Sequence, residues 1–459
     1  MKNIGEAMGA ETRSIAGTRD WVSSVMLLCF LGLLSVSTFG GYLSTTFSFR
    51  NGIDAALVSK GLSLLFEVSA VVACILAAVR YGRHVIVLVP LSCFLVFGWF
   101  LITVAWSPVP AVAFTRWLIG FSVFLAFLFI HKELGSEVSF RILNWFLTGV
   151  VLVSFAAIYL DPSAVHDGTD EESLAGQWRG IFLHKNQAGC YAAMASIVFL
   201  ISLFGSRKGT YGRVTDLLML ALSVYFLLRT NSTTSILSLS AAVAALALFT
   251  LGGNLSVYRV ISTILLTCVL LVLGGVVWTY WDAILEILRD PRAFTGRGAL
   301  WQVLWQRIEE APLLGVGYGS FWDLGDQSPI AFYEGMWFSE IIQGHNGYLD
   351  IMLTTGAIGL ALAVWAAFVT PLHAVMSGLA RTSQCQSLCV ASVVFFMVHN
   401  LMESTLFRQA QPLWVLFLSI ALMIFGERAV ASTTRIEDSP AKSQSGEAPI
   451  DGLPARGLP

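Results

Sequence analysis

Apolar runs of about 20 residues, each closed by a short polar turn, recur along almost the whole chain, and a helix needs about that length to cross the hydrocarbon layer. On that criterion about twelve spans are expected, near 21–42, 61–80, 84–106, 111–131, 141–160, 187–204, 214–231, 233–251, 258–281, 347–370, 386–406 and 412–426. The pattern is that of an all-α integral membrane protein. The rhythm breaks once, over residues 281–346, which reads as one large external loop containing short amphipathic helices. Within it Leu300, Leu304 and Ile308 recur at helical spacing between Arg297 and Glu310, flanked by Trp301 and Trp305. Thr295 suits an N-cap and Pro312 stands just past the end. This helix is expected to lie along the membrane surface. A glycine-rich turn, Pro312 to Gly319, follows it.

Composition agrees and narrows the choice. Of 459 residues, 56% are hydrophobic and 12% charged, against about 25% charged in soluble domains. The net charge of −2 offers no basic face, so no nucleic-acid partner is expected. All seven cysteines lie in or beside apolar spans, and Cys385 and Cys389 have no histidine cluster near them. Neither a disulfide framework nor a metal site is expected, and no cofactor. Lysines and arginines of short loops set orientation. With the N-terminus inside, Arg80, Lys132, Arg141, Arg213 and Arg381 share its side, both termini are cytoplasmic, and the large loop is external. The organisation is then a segment 1–20 with no cleavable signal, a membrane domain 21–426, and a tail 427–459. The tail is rich in proline, serine, glycine and charge and reads as disordered.

Candidate chemistry gathers on the external side. The large loop holds nine acids against four arginines, so it is not a general basic patch. Arg297 is nonetheless suited to phosphate, because a guanidinium donates two parallel charge-assisted hydrogen bonds. Arg179, His184, Lys185 and Asn186 stand at the mouth of the next helix, and Arg229 at another external turn. Each cation can equally pair with loop acids or lipid headgroups. His345, beside Asn346, is of the residue type that titrates near neutrality and serves as a general base; a helix-capping His-Asn pair is the plainer alternative. Trp322 and Trp337 are the candidates for stacking on a sugar ring. Glu403 and Arg408 can pair with each other or line a cavity. Glu67, an acid within a span, is a functional candidate by position. The Gly315–Gly319 run follows no parallel strand and is not read as a nucleotide loop.

These residues form an ordered set: Arg179-Gly-Ile-Phe-Leu-His184-Lys-Asn186, Gly296-Arg297 with Trp301 and Trp305, and Pro312-Leu-Leu-Gly-Val-Gly-Tyr-Gly-Ser-Phe-Trp322. His345-Asn-Gly-Tyr-Leu-Asp350, Gly356-Ala-Ile-Gly359 and Asn400-Leu-Met-Glu-Ser404 continue it. The set resembles the O-antigen ligase and polysaccharide polymerase superfamily, most of all its exopolysaccharide polymerases, over roughly residues 85 to 425. The resemblance implies a GT-C-like, metal-independent glycosyltransferase of the bacterial inner membrane. Its donor would be a glycan on undecaprenyl pyrophosphate, handled at the periplasmic face among membrane lipids. External arginines, matched by Arg179 and Arg297, would hold the pyrophosphate, and His345 would activate the acceptor hydroxyl. A flippase and a chain-length regulator of the assembly system are the implied partners. One departure stands out: Asn231-Ser-Thr-Thr234 lacks the cation that members often carry there, and Arg229 lies one turn earlier. A ligase onto lipid A–core would use the same donor chemistry. A solute transporter is the alternative of another class, but no internal repeat of the transporter kind is visible.

Overall fold

The computed structural model describes residues 2–82, 89–168, 174–205, 209–251, 297–324, 328–329, 341–377 and 382–437. Eight helices there are long and apolar enough to cross a membrane: Trp21–Thr46, Ala55–Tyr81, Pro110–Leu134, Ser136–Leu160, Lys185–Leu203, Thr210–Thr230, Thr233–Thr250 and Gly347–Met376. Three shorter apolar helices, Leu91–Trp106, Ser383–His399 and Pro412–Gly426, accompany them. Eleven of the expected spans are therefore helical, and the one at 258–281 lies outside the described residues. The protein is an all-α multi-pass membrane protein. The one β-type pairing described is an isolated antiparallel bridge between Val165 and Trp178.

We label the helices that build the site α1 (Lys2–Tyr42), α2 (Ala55–Tyr81), α3 (Leu91–Thr103), α4 (Pro110–Leu134), α5 (Ser136–Leu160) and α6 (Lys185–Leu203). They continue with α7 (Thr210–Thr230), α8 (Thr233–Leu251), α9 (Arg297–Glu310), α10 (Gly347–Val364), α11 (Ser383–His399) and α12 (Pro412–Glu437). Helix α6 is buried along nearly its whole length, packed by α7, α8 and α11. Its run of alanine, glycine and serine lets neighbours approach closely, as expected where lipid gives helices no apolar advantage in associating. A Cβ on Gly189 would lie 2.8 Å from the Ser232 side chain. A second group, α1, α2, α4 and α12, packs around Phe124, Phe127, Phe129 and Phe417.

Four boundaries differ from expectation. Helix α3 starts at Leu91, because Pro90 in an extended conformation occupies its N-cap. Helix α11 stops at His399 rather than 406, where Asn400 Oδ1 accepts bonds from Thr405 N, Thr405 Oγ1 and Leu406 N and so builds a turn. Helix α12 runs to Glu437, so 427–437 is helical rather than disordered. Residues 2–20 continue directly into the first span as one helix.

Helix α9 forms as expected, but its apolar face is covered by the protein itself. Leu300, Leu304 and Ile308 pack with Trp301 against Phe321, Trp322 and Leu353. Burying each such side chain stabilises by about 1.5–3 kcal/mol, and the protein offers that partner itself. The loop is pinned further at α10. Gly356 (φ 69°, ψ −176°) breaks the helix, which releases the carbonyls of Leu353 and Thr354. They accept from Val316 N at 3.0 Å and Gly317 N at 2.8 Å, while Ala357 N donates to Pro312 O at 2.9 Å. The glycine-rich turn thus completes a kinked helix.

Candidate active site

Four chain segments meet at one end of the bundle: the start of α9, residues 341–347 leading into α10, residues 184–186 at the mouth of α6, and the turn after α11. They converge on Glu403, which is 7% exposed. Its Oε1 accepts from Nη2 of Arg297 at 3.1 Å and from Nδ2 of Asn186 at 2.8 Å. Its Oε2 lies 3.5 Å from Nδ1 of His345. Arg297 also donates to the carbonyl of Met402. Burial pushes the Glu403 carboxyl upward. The hydrogen bond from His345 and the charges of Arg297, His399 and His345 outweigh that and hold it down to about 2. A buried, ionised carboxylate therefore sits between a guanidinium and an imidazole, each still partly open to solvent (side chains 19% and 31% exposed).

The backbone explains why His345 faces that carboxylate. Asn346 caps α10, its Oδ1 accepting from Tyr348 N and Leu349 N. Its own N–H donates to Ser404 Oγ at 3.0 Å, and its Nδ2 to Leu401 O. Gly347 N is shared between the carbonyls of Asn400 (2.9 Å) and Glu403 (3.1 Å). These bonds lace 345–347 to 400–404 and hold His345 at φ 52°, a left-handed conformation uncommon outside glycine.

The remaining cations are placed differently. His184 caps α6, its Nδ1 accepting from Asn186 N at 3.2 Å. Burial lowers its pKa to about 4, with the charges of His166, Lys185 and His345 adding to the effect and Glu403 opposing it. It is a neutral cap rather than a cation at neutral pH. Arg179 donates to the carbonyls of Ser163 and Leu183, bracing the segment that leads to His184. Lys185 Nζ reaches Asn231 O at 3.4 Å, and the Arg229 guanidinium stacks 5.0 Å above the Trp178 ring. Arg297 and His345 are thus brought together with Asn186. Arg179 and Arg229 are braced against the loop before α6, away from Glu403's bonds.

Arg408 does not pair with Glu403. Its Nη1 donates to Gln343 Oε1 at 2.9 Å and its Nη2 to Ile342 O at 3.3 Å. Trp322 is buried, and its indole N–H donates to Asp350 Oδ1 at 3.1 Å. That placement makes it a packing residue, not an open sugar platform. Trp337 lies outside the described residues. Glu67 is exposed on α2 and lines a groove of about 390 Å³ with Ser37, Thr38, Ser63, Gln187 and Gln409. A larger cavity, about 1230 Å³, opens at the opposite end of the bundle beside Arg141, Asn144 and Asp216. It contains none of the motif residues.

Sequence reasoning missed three supports. Asp350, one turn into α10, accepts Gly344 N on both oxygens at 3.1 and 3.2 Å. Gln343 stands 3.3 Å from Nδ1 of His345. Arg116, at the start of α4, donates to the carbonyls of Gly319 (2.8 Å), Trp322 (2.7 Å) and Asp323 (2.7 Å). Asp350's position in the first turn after His345 was a usable signal. Arg116 lies about 200 residues from what it holds, and nothing local points to it.

Comparison with known proteins finds similarity over part of the chain. Residues 218–364, from within α7 through α9 to the end of α10, match the family model described as O-antigen ligase. The chain is also similar to the exopolysaccharide production protein ExoQ of Rhizobium meliloti (strain 1021), at 30% identity over 226 residues. That match covers 46% of this chain and 50% of the relative, so the chain spans about half the length of the curated relative it matches. By these matches, the stretch from within α7 to the end of α10 is similar to the O-antigen ligase family, and about half of the chain is similar to an exopolysaccharide production protein.

Proposed function

We propose that this protein is a membrane glycosyltransferase that polymerises oligosaccharide repeat units carried on undecaprenyl pyrophosphate, at the periplasmic face of a bacterial inner membrane. The observation that carries the reading is the convergence of Arg297, His345 and Asn186 on buried Glu403. His345 takes the proton of the acceptor hydroxyl. The acceptor oxygen bonds to the anomeric carbon, and the bond from that carbon to the pyrophosphate breaks. The electron pair leaves on the lipid pyrophosphate, whose charge Arg297 stabilises. The groove beside Glu67 is lined also by Gln187, next to Asn186 in sequence, and suits a lipid-borne substrate arriving from the side.

The test is a deletion strain complemented with wild type, Arg297→Ala or His345→Ala at matched membrane levels. Polymer output should fall by about 10²- to 10⁴-fold in each variant, as expected for removal of an acid–base or charge-stabilising group. Lipid-linked single repeats should accumulate. Full polymer from both variants refutes the site. The family model's description favours a second reading, a ligase onto lipid A–core. Full-length lipid-linked polymer accumulating in place of single repeats would establish it instead.

A further inference from the structure

The two oxygens of Glu403 serve different groups: Oε1 takes Arg297 and Asn186, and Oε2 faces Nδ1 of His345. Resting on the reading of His345 as the base, we propose that Glu403 is a positioning residue that keeps the proton of neutral His345 on Nδ1. The lone pair of Nε2 then faces the acceptor hydroxyl.

Two groups compete for Nδ1. Arg408 holds Gln343 by its Oε1 at 2.9 Å, which turns the amide Nε2 toward His345 Nδ1 at 3.3 Å. A donor there favours the opposite tautomer, with the proton on Nε2 and no lone pair for the acceptor. Oε2 of Glu403, at 3.5 Å, favours the proton on Nδ1. Charge decides between them, because a charge-assisted hydrogen bond is about twice as strong as a neutral one. Glu403 keeps its charge, being held far below neutrality by the groups named above. The backbone carrying the carboxylate is fixed beside His345: Gly347 N bonds to the Glu403 carbonyl, and Asn346 N to Ser404 Oγ. Among the described residues no partner meets Nε2, and the side chain is 31% exposed. The left-handed backbone at His345 is the conformational cost of that aim. In the transfer step the acceptor's proton goes to Nε2, and the resulting imidazolium keeps its Nδ1 proton against Glu403. The new glycosidic bond forms as the pyrophosphate leaves with its electron pair.

Glu403→Gln keeps the shape and inverts the outcome. The amide oxygen stays with the donors of Arg297 and Asn186, so the amide NH₂ faces Nδ1 beside Gln343, and both donate to it. The experiment is ¹⁵N NMR of full-length, histidine-labelled protein in detergent, at a pH where imidazole is neutral, with His345 assigned by difference from His345→Gln. Wild type should carry the proton on Nδ1, and Glu403→Gln on Nε2. Polymer output of the Glu403→Gln strain should fall at least about 100-fold, in the range of lost general-base catalysis. Gln343→Leu removes the competing donor and should leave the proton on Nδ1. A wild-type proton on Nε2, or a proton unmoved in Glu403→Gln, overturns the role of Glu403. Full polymer from His345→Gln overturns the base itself, and this role with it. An inactive His345→Gln beside an unmoved proton in Glu403→Gln overturns the role of Glu403 alone.

Discussion

Replacing Arg297 by methionine keeps the apolar stem and removes the charge. The partner left behind is Glu403, whose side chain is 9% exposed. At 3.1 Å and an effective dielectric near 20, the direct attraction is about 5 kcal/mol. Desolvation and side-chain ordering offset much of it. An exposed pair nets about 0–1 kcal/mol, and breaking a fully buried one costs about 3–5 kcal/mol. Arg297 keeps 19% of its side chain in solvent, which places the expected coupling between these limits, at about 2 kcal/mol. Linkage gives the net effect. Glu403 is lowered from 4.5 to about 2, and at about 1.36 kcal/mol per unit its partners contribute about 3 kcal/mol in excess of the opposing cost of burial. Since the folded value lies below the ordinary one, this stability is present above about pH 4.5 and is lost as pH falls toward 2. The assay is a double-mutant cycle of wild type, Arg297→Met, Glu403→Gln and the double variant, unfolded by titration with SDS at pH 7.5. The single Arg297→Met change should cost about 2 kcal/mol, and far less when residue 403 is already neutral. A coupling below about 0.5 kcal/mol would refute the view that Glu403 depends on Arg297.

Other outcomes follow from the same geometry. Gly356→Ala would place a Cβ on the backbone of Leu313 at a positive φ, and should cost about 3 kcal/mol or more in the same titration. Gly315→Ala, whose Cβ would lie 2.5 Å from the backbone of Thr354, should behave alike, whereas alanine at Gly209, where a Cβ meets nothing within 4 Å, should not. Arg116→Met strands three carbonyls of the loop and should cost about 2–3 kcal/mol, with faster proteolysis between Gly319 and Asp323 as the check. Trp322→Phe removes the donor to Asp350. It should cost about 1–3 kcal/mol in SDS unfolding and leave acceptor affinity unchanged, since the ring is not a sugar platform.

Most of the architecture was legible as pattern. Length and apolarity alone place helices, since in lipid every backbone group must be satisfied within the segment, and eleven expected spans are helical. Their ends were less legible where a distant group intervenes: Asn400 ends α11 through bonds to residues 405 and 406. The loop helix α9 was recognised by its spacing, but its apolar face could not reveal what covers it. Amphipathic spacing is the same for a lipid surface and for Phe321, Trp322 and Leu353.

The candidate site divides the same way. Residue type marked Arg297, His345 and Asn186 as apt for phosphate, proton transfer and hydrogen bonding, because those capacities belong to the side chains themselves. Which of the external cations stand together is a matter of folding. Arg179 and Arg229 are of the same type as Arg297, yet the tertiary structure spends the first on the carbonyls of Ser163 and Leu183 and sets the second against Trp178. From the sequence, Glu403 could pair with Arg408, five residues on, or line a cavity; the fold pairs it instead with Arg297, more than 100 residues away. The sequence by itself determined a helical membrane protein and the kinds of chemistry available at one end of it. The tertiary structure decided which carboxylate holds which cation, since pairing energy depends on distance and burial, and these exist only once α6, α9, α10 and α11 have met.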